Sequence, residues 1–203
     1  MQQMRLVISV AALMLSGTLA LAEPPQPDFK ALLTPSVMKD IKGWVETDIV
    51  RVSVAAQNDR LQKLEQAKID ELDQQWRKER EMDDKPLIAA TLSNPLSIYL
   101  TRMQGRSIGL YAEIFVMDQN GLNVGQSSIT SDFWQGDEAK FQKTYDVSKD
   151  AVFVDDPEWD DDSKIWRGQV SFTLTDSSGQ NEIGAVTVEL NLTELQRREA
   201  FGT

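Results

Sequence analysis

The fold is decided by the stretch Leu110-Tyr-Ala-Glu-Ile-Phe-Val-Met117, which is followed at once by Asp118-Gln-Asn-Gly121. A nearly continuous apolar run of this length is typical of a strand buried in the centre of a sheet. Asn and Gly tolerate positive φ, so the four residues after the run predict a tight turn into a second strand over 123–127. The two strands predict the start of an antiparallel sheet.

Three more strands are predicted further along the chain, at 151–155, 165–174 and 182–192. Asp176-Ser-Ser-Gly179 forms the turn between the last two, and a polar crossover with a short helix joins the second strand to the third. A short helical region from Pro86 to about Arg106 precedes the sheet. The sequence therefore predicts an α+β protein with a five-stranded antiparallel sheet.

The fourth strand alternates in character, with apolar side chains at 170, 172 and 174 and polar side chains at 169, 171 and 173. Successive side chains of a strand point to opposite faces of the sheet. We therefore expect one buried face and one face on which Ser171 and Thr173 present hydroxyl groups that a polar ligand would meet.

Residues 34–84 have the pattern of one long helix. Thr34 is a suitable N-cap with Pro35 behind it, and apolar residues recur at spacings of three, four or seven up to Trp76. Such a helix would extend roughly 65 to 70 Å, which exceeds a single small core. Either it breaks near 57–59 and folds back, or it continues as a stalk that pairs with another chain. We favour the continuous helix, which predicts a homodimer through it.

Residues 1–22 have the pattern of a cleavable signal peptide. Arg5 gives a short basic region, an apolar run follows, and Ala20-Leu-Ala22 offers small residues to a signal peptidase. An uncleaved membrane anchor is the alternative, but the apolar run is shorter than the ~20 residues that a spanning helix needs. We expect export to the periplasm, an extended leader over 23–33, and no membrane insertion after cleavage.

Composition excludes several classes of function. The chain has no His and no Cys, which excludes thiol chemistry and a histidine general base. It carries 32 acidic and 21 basic residues, a formal net charge of −11 that repels nucleic acid and anionic lipid. No spacing of Asp, Glu, Ser or Lys is typical of a catalytic pair. A non-enzymatic function is therefore expected.

The order of these elements resembles the Cache group of extracytoplasmic, PAS-like sensor domains. The similarity includes the N-terminal helix, the Asp-x-x-Gly turn, a crossover with aromatic residues, and three antiparallel strands that end in Gly184-Ala-Val-Thr-Val188. The resemblance implies a stand-alone periplasmic sensor domain over 86–195. It also implies a pocket for a small metabolite beside the crossover, and a membrane sensor kinase or chemoreceptor as partner.

The resemblance also implies pocket residues. Trp134 falls where family members place a pocket-lining tryptophan, and Glu189 where amino-acid-binding members hold the ligand's ammonium group. The arginine that pairs with the ligand's carboxylate in those members is absent, since Ser131, Asp132 and Phe133 stand there. The predicted ligand-binding residues are Asp132, Phe133, Trp134, Asp137, Arg167, Ser171, Thr173 and Glu189.

The charges of the crossover indicate the class of ligand. Asp132, Asp137 and Glu138 make this edge acidic, which favours a cationic or polyhydroxylated ligand over an anion. Structural roles are the alternatives: Trp134 and Phe133 as core, Asp132 as a helix cap, and Glu189, Ser171 and Thr173 as exposed strand residues.

The acidic run 155–162 lacks the alternating acidic residues and central Gly of an EF-hand loop. We expect a solvated hairpin here rather than a metal site, with Trp159 and Trp166 paired across it.

Taken together, the residues and the resemblance predict an exported sensor domain that binds a small molecule and signals to a partner protein. The alternative is an envelope interaction protein that keeps the same scaffold without a functional ligand pocket.

Overall fold

The computed structural model describes residues 24–201 and shows an α+β protein, as the sequence predicts. The predicted signal peptide lies outside the described residues. Across 24–201, none of the helices combines the length and the apolar character that a membrane crossing needs. The helices are α1 (Phe29–Leu32), α2 (Pro35–Val45), α3 (Asp48–Leu61), α4 (Gln66–Arg80), α5 (Pro86–Leu92), α6 (Pro95–Arg106), α7 (Ala139–Gln142) and α8 (Leu192–Phe201). The strands are β1 (Tyr111–Met117), β2 (Asn123–Gln126), β3 (Val152–Val154), β4 (Glu158–Asp160), β5 (Ile165–Thr175) and β6 (Glu182–Asn191).

The strands form one antiparallel sheet in the order β2-β1-β6-β5-β3, and β4 also pairs with β5. The short strand β4 is additional to the five predicted strands. It lies inside the acidic run and places Trp159 opposite Trp166, with ring centroids 5.6 Å apart. The predicted tryptophan pair is therefore confirmed.

The helical segment before the sheet is not continuous, because it divides into α2, α3 and α4 at 46–47 and 62–65. Its apolar stripe is used inside the same chain. Ile41, Val45, Val50 and Val54 are fully buried in the core that also contains the sheet's apolar residues. The prediction of a continuous stalk is wrong, and the homodimer expected through it loses its structural basis.

The second break is determined by the turn between β1 and β2. Gln62 has a positive φ of 54°, so the helix cannot continue through it. The Asn120 side chain donates to the carbonyl oxygen of Gln62 at 2.9 Å and accepts from the amide of Leu64 at 3.0 Å. The alternative break near 57–59 does not occur, because α3 continues through these residues, and the Gln57 side chain donates to the buried Asp118 carboxylate at 3.1 Å.

Both faces of the sheet are covered. The face toward the helices is apolar and is formed by Ile114, Val116, Val170, Phe172, Leu174, Val186, Val188 and Leu190. On the other face, Phe115, Met117 and Ala185 pack with Phe141 of α7. Ser171, expected to be an exposed hydroxyl, is buried there and hydrogen-bonds the hydroxyl of Thr187 at 2.9 Å. We refer to this side of the sheet as the second face.

Substitution of Gly184 tests the close approach of β1 to β6, and Gly43 provides a control. A Cβ at Gly184 would collide with the carbonyl oxygen of Met117, whereas a Cβ at Gly43 in α2 would meet no atom within 4 Å. We expect Gly184→Ala to lower the free energy of unfolding by about 1–3 kcal/mol through overpacking. Gly43→Ala should raise it by about 0.5–1 kcal/mol, because Ala restricts the unfolded chain. Urea denaturation measures both, and equal midpoints for the two variants would contradict the observed packing.

Candidate ligand-binding cavity

A cavity of about 210 Å³ opens on the second face of the sheet, where α7 and the β3–β4 connection approach β5 and β6. Its residues come from the start of α7, from the connection and β4, and from the two long strands. They are Glu138, Lys140, Asp155, Asp156, Glu158, Arg167, Gly168, Gln169 and Glu189. The volume lies below the ~300 Å³ at which pockets for drug-sized ligands begin, so a small metabolite is the size that fits.

Strand geometry brings the inner wall of the cavity together. Gln169 stands directly opposite Glu189 in the β5–β6 ladder, and Arg167 lies two residues before Gln169 on the same face. The register of two paired strands therefore fixes three polar side chains side by side. No loop has to be ordered to assemble them.

Arg167 links two carboxylates at the wall of the cavity. Its Nη1 donates to Glu189 Oε2 at 3.1 Å, and its Nη2 forms an ion pair with Asp160 of β4. Gln169 Nε2 donates to the other oxygen of Glu189 at 3.4 Å. Arg167 Nε is buried without a hydrogen-bond partner in the described part of the chain, which leaves one donor unused.

Glu113 of β1 does not line the cavity itself, but it pairs in register with the lining residue Glu189 of β6. Burial raises the pKa of Glu113 above its ordinary value of 4.5, and the neighbouring Glu189 charge acts in the same direction. The Ser128 hydroxyl opposes this by donating to the Glu113 carboxyl at 2.6 Å. The carboxyl groups of Glu113 and Glu189 are therefore neighbours, and the raised pKa means that Glu113 holds its proton to a higher pH than usual.

The cavity lining is acidic. Five carboxylates face two cationic side chains, Lys140 and Arg167, and both cations are already in ion pairs. Lys140 Nζ lies 2.7 Å from Glu138 and also sits over the Phe115 ring. The excess of carboxylates favours a cationic or polyhydroxylated ligand, the class that the acidic crossover predicts.

The predicted crossover residues lie elsewhere and are occupied by structural contacts. Phe133 is buried and stacks on Trp76 with centroids 5.1 Å apart. The Trp134 indole donates to the carbonyl oxygen of Asn120 at 2.9 Å and lies against Gly136. Trp134 therefore does not line the acidic cavity.

The remaining predicted residues divide between several places. Asp132 accepts from Gln135 Nε2 at 2.6 Å within the crossover, and Asp137 is exposed. Ser171 is buried in its pair with Thr187, while Thr173 donates to the Ser148 carbonyl oxygen at 2.7 Å. Of the eight predicted residues, the structure brings only Arg167 and Glu189 to the acidic cavity.

Sequence reasoning missed Lys140, Gln169 and the acidic residues of the β3–β4 connection as cavity residues, and it missed Glu113 as the neighbour of Glu189. Alternation was the available signal for Gln169, because it shares its face of β5 with Arg167. Glu113 carries the same signal on β1, where it alternates with the apolar side chains of Ile114 and Val116. The positions of Lys140 and of the connection depend on tertiary packing.

The acidic connection shows no metal-binding geometry. Between residues 24 and 201, no three Asp or Glu side chains come together in a group that would hold a metal ion. The run 155–162 supplies the strand β4 and three lining residues of the cavity instead: Asp155, Asp156 and Glu158.

No protein-family model and no curated protein matches the chain. Solved structures match it at low identity. The extracellular domain of a protein assigned as a histidine kinase shares 14% identity over 52% of this chain and 44% of its own, with a TM-score of 0.41. The sensory domain of the Campylobacter jejuni chemoreceptor Tlp3 shares 15% identity over 83% of this chain and 65% of its own, with a TM-score of 0.40. The ligand-binding domain of the Pseudomonas aeruginosa amino-acid chemoreceptor PctC, in complex with GABA, shares 13% identity over 78% of this chain and 63% of its own. Its TM-score is 0.36.

The chain thus spans less than two thirds of the length of each of these structures. All three are extracellular, sensory or ligand-binding domains. The α+β fold of this chain is established by its own helices and antiparallel sheet.

The buried carboxyl of Glu113 predicts a pH dependence of stability. Because its pKa is raised in the folded state, its contribution to stability is fully present below the ordinary value of 4.5 and is lost as the pH rises through the raised value. Glu113→Gln keeps an acceptor for Ser128 but removes the ionisation. We expect the variant to gain stability relative to the wild type as the pH rises, measured by urea denaturation across a pH series.

The control is Glu71→Gln, whose carboxylate is 66% exposed and pairs only with Lys68. Exposed pairs of this kind contribute little, so its difference from the wild type should stay near zero at every pH. A Glu113→Gln difference that is flat with pH would contradict the assignment.

Proposed function

We propose that the protein is an exported sensor domain that binds a small cationic or polyhydroxylated molecule in the acidic cavity. The domain would signal the binding of this ligand to a partner protein such as a membrane sensor kinase or chemoreceptor. The observation that carries the proposal is the Arg167–Glu189 pair at the wall of an open cavity whose lining is otherwise rich in carboxylates.

The pair provides a defined place for a cationic group. Glu189 is only 9% exposed, so its carboxylate requires a cation or strong donors beside it. Arg167 has a second carboxylate partner in Asp160. A ligand ammonium group can therefore take Glu189 while Arg167 remains paired with Asp160, and no charge is left buried alone.

The cavity also has a direct connection to the rest of the fold. Glu189 lies on β6, and β6 runs without a loop into α8, which begins at Leu192. The other face of β6 carries Val188 and Leu190 in the main core, in the same cluster as Val50 and Val54 of α3. A shift of β6 on binding would therefore reach both helices.

A second candidate function is an envelope interaction protein without a functional ligand pocket. The packing of the second face favours it, because Phe115, Met117 and Phe141 form an apolar cluster there. The packing of Trp134 away from the cavity points in the same direction.

Thermal unfolding with small probes tests the proposed function. We expect putrescine or myo-inositol to raise the Tm of the purified protein. A ligand at 100 times its Kd adds about 2.7 kcal/mol, which corresponds to roughly 5 to 10 °C for a chain of this size. Glu189→Gln should weaken binding of the active probe at least about tenfold, which is ~1.4 kcal/mol.

The matched control is again Glu71→Gln, which should bind like the wild type. If neither probe raises the Tm of the wild type, or if Glu189→Gln binds the active probe as tightly as the wild type does, the acidic cavity is not a sensing site. The second candidate function would then be favoured.

A further inference from the structure

A second cavity, of about 260 Å³, lies at the elbow between α2 and α3, and its character is opposite to that of the acidic cavity. Three basic side chains from three separate parts of the chain line it: Lys42 of α2, Arg51 of α3 and Lys149 from the segment before β3. The C-terminal part of β5, from Phe172 to Thr175, forms its wall. We refer to this site as the basic cavity.

Two of the three basic side chains, Arg51 and Lys149, are held by neutral carbonyl groups, and Lys42 Nζ lies 5.8 Å from the centre of the Phe172 ring. Arg51 donates from Nε to the carbonyl oxygen of Thr175 at 3.3 Å and from Nη1 to that of Glu46 at 2.6 Å. Lys149 Nζ donates to the carbonyl oxygen of Gly179 at 3.3 Å. These bonds fix the positions of the cations and leave their charges in place.

Carboxylates make few close contacts with these cations, although Glu46 and Asp150 also line the cavity. Over residues 24–201, neither Lys42 nor Arg51 is in an ion pair, and Lys149 has only Asp150, at 4.0 Å. The Asp150 side chain is 86% exposed, and Glu46 of the lining is exposed as well. Arg51 differs in this respect from Arg167 of the acidic cavity, whose guanidinium pairs with two carboxylates.

This arrangement is unexpected in a chain with 32 acidic and only 21 basic residues. Carboxylates are abundant enough for most cations to find one, and three like charges that converge on one cavity repel each other. A site that keeps them together with a single long ion pair, Lys149 to Asp150, is suited to an anion that supplies further negative charge. Arginine adds a planar set of donors that matches the oxygens of carboxylate and phosphate groups.

We propose that the basic cavity binds a small oxyanion, a phosphate or a carboxylate, between Lys42, Arg51 and Lys149. Its volume admits a small metabolite or an inorganic ion. A bound anion would connect α2, α3 and the segment before β3, and so would fix the angle of the elbow at 46–47. The proposal is independent of the function assigned to the acidic cavity, since the two sites share no residue.

Titration calorimetry in low-salt buffer tests the proposal, with inorganic phosphate and succinate as the probes. We expect at least one of the two to bind the wild type and to bind more weakly as NaCl is added, because salt screens the cations. Lys42→Gln and Lys149→Gln should each reduce the affinity at least about tenfold, or ~1.4 kcal/mol. A phosphate-only or a succinate-only result supports the proposal and identifies the oxyanion.

One further variant tests whether anion binding is confined to the basic cavity. Lys68→Gln removes an exposed lysine of α4 that pairs with Glu71, so it should bind the anion like the wild type. Arg51 is not used as the main variant, because its two backbone hydrogen bonds also support the elbow.

The proposal is overturned if neither probe binds the wild type. It is equally overturned if Lys42→Gln and Lys149→Gln both bind the probe as tightly as the wild type, since binding would then lie elsewhere on the surface. Circular dichroism of each variant confirms that a loss of binding occurs in a folded protein.

Discussion

The hydrogen-bonded turn between β1 and β2 is the constraint on which the arrangement of the helices depends. Asp118 is completely buried and accepts from the amides of Asn120 and Leu122 at 2.7 and 3.0 Å, and from Gln57 of α3. Burial raises the pKa of this carboxyl, against the effect of those donors. A buried acid with three donors specifies one position for α3 on the sheet, because a shifted helix would leave polar groups without partners.

The same turn also orders the chain on both sides of it. Asn120 bonds to the loop between α3 and α4 through Gln62 and Leu64, and its carbonyl oxygen accepts from the Trp134 indole of the crossover. Helix, turn and crossover thus meet at one residue. The consequence for function is that the crossover is held as scaffold, and the open space on the second face lies farther along β5 and β6.

Much of the sheet could be predicted from the sequence, because alternation and turn residues are local signals. The bounds of the long strands at 165–175 and 182–191 follow from them closely. Strand β4 has three residues, two of them acidic, and no alternation of apolar side chains marks it. The breaks in the helical segment were not predictable either, since Asn120 lies 58 residues from Gln62.

For the site, Arg167 and Glu189 could be predicted from strand position. Trp134 could not be placed, because its position depends on the packing of its ring against Gly136.

The neighbouring carboxyl groups of Glu113 and Glu189 have a consequence for how a ligand would be held. Burial and the charge of Glu189 both favour the protonated form of Glu113. A cationic ligand beside Glu189 would oppose that preference and lower the pKa of Glu113, so that its binding would release hydrogen ions at any pH where Glu113 is partly protonated. The occupancy of the cavity would then depend on the acidity of the surrounding compartment as well as on the concentration of the ligand.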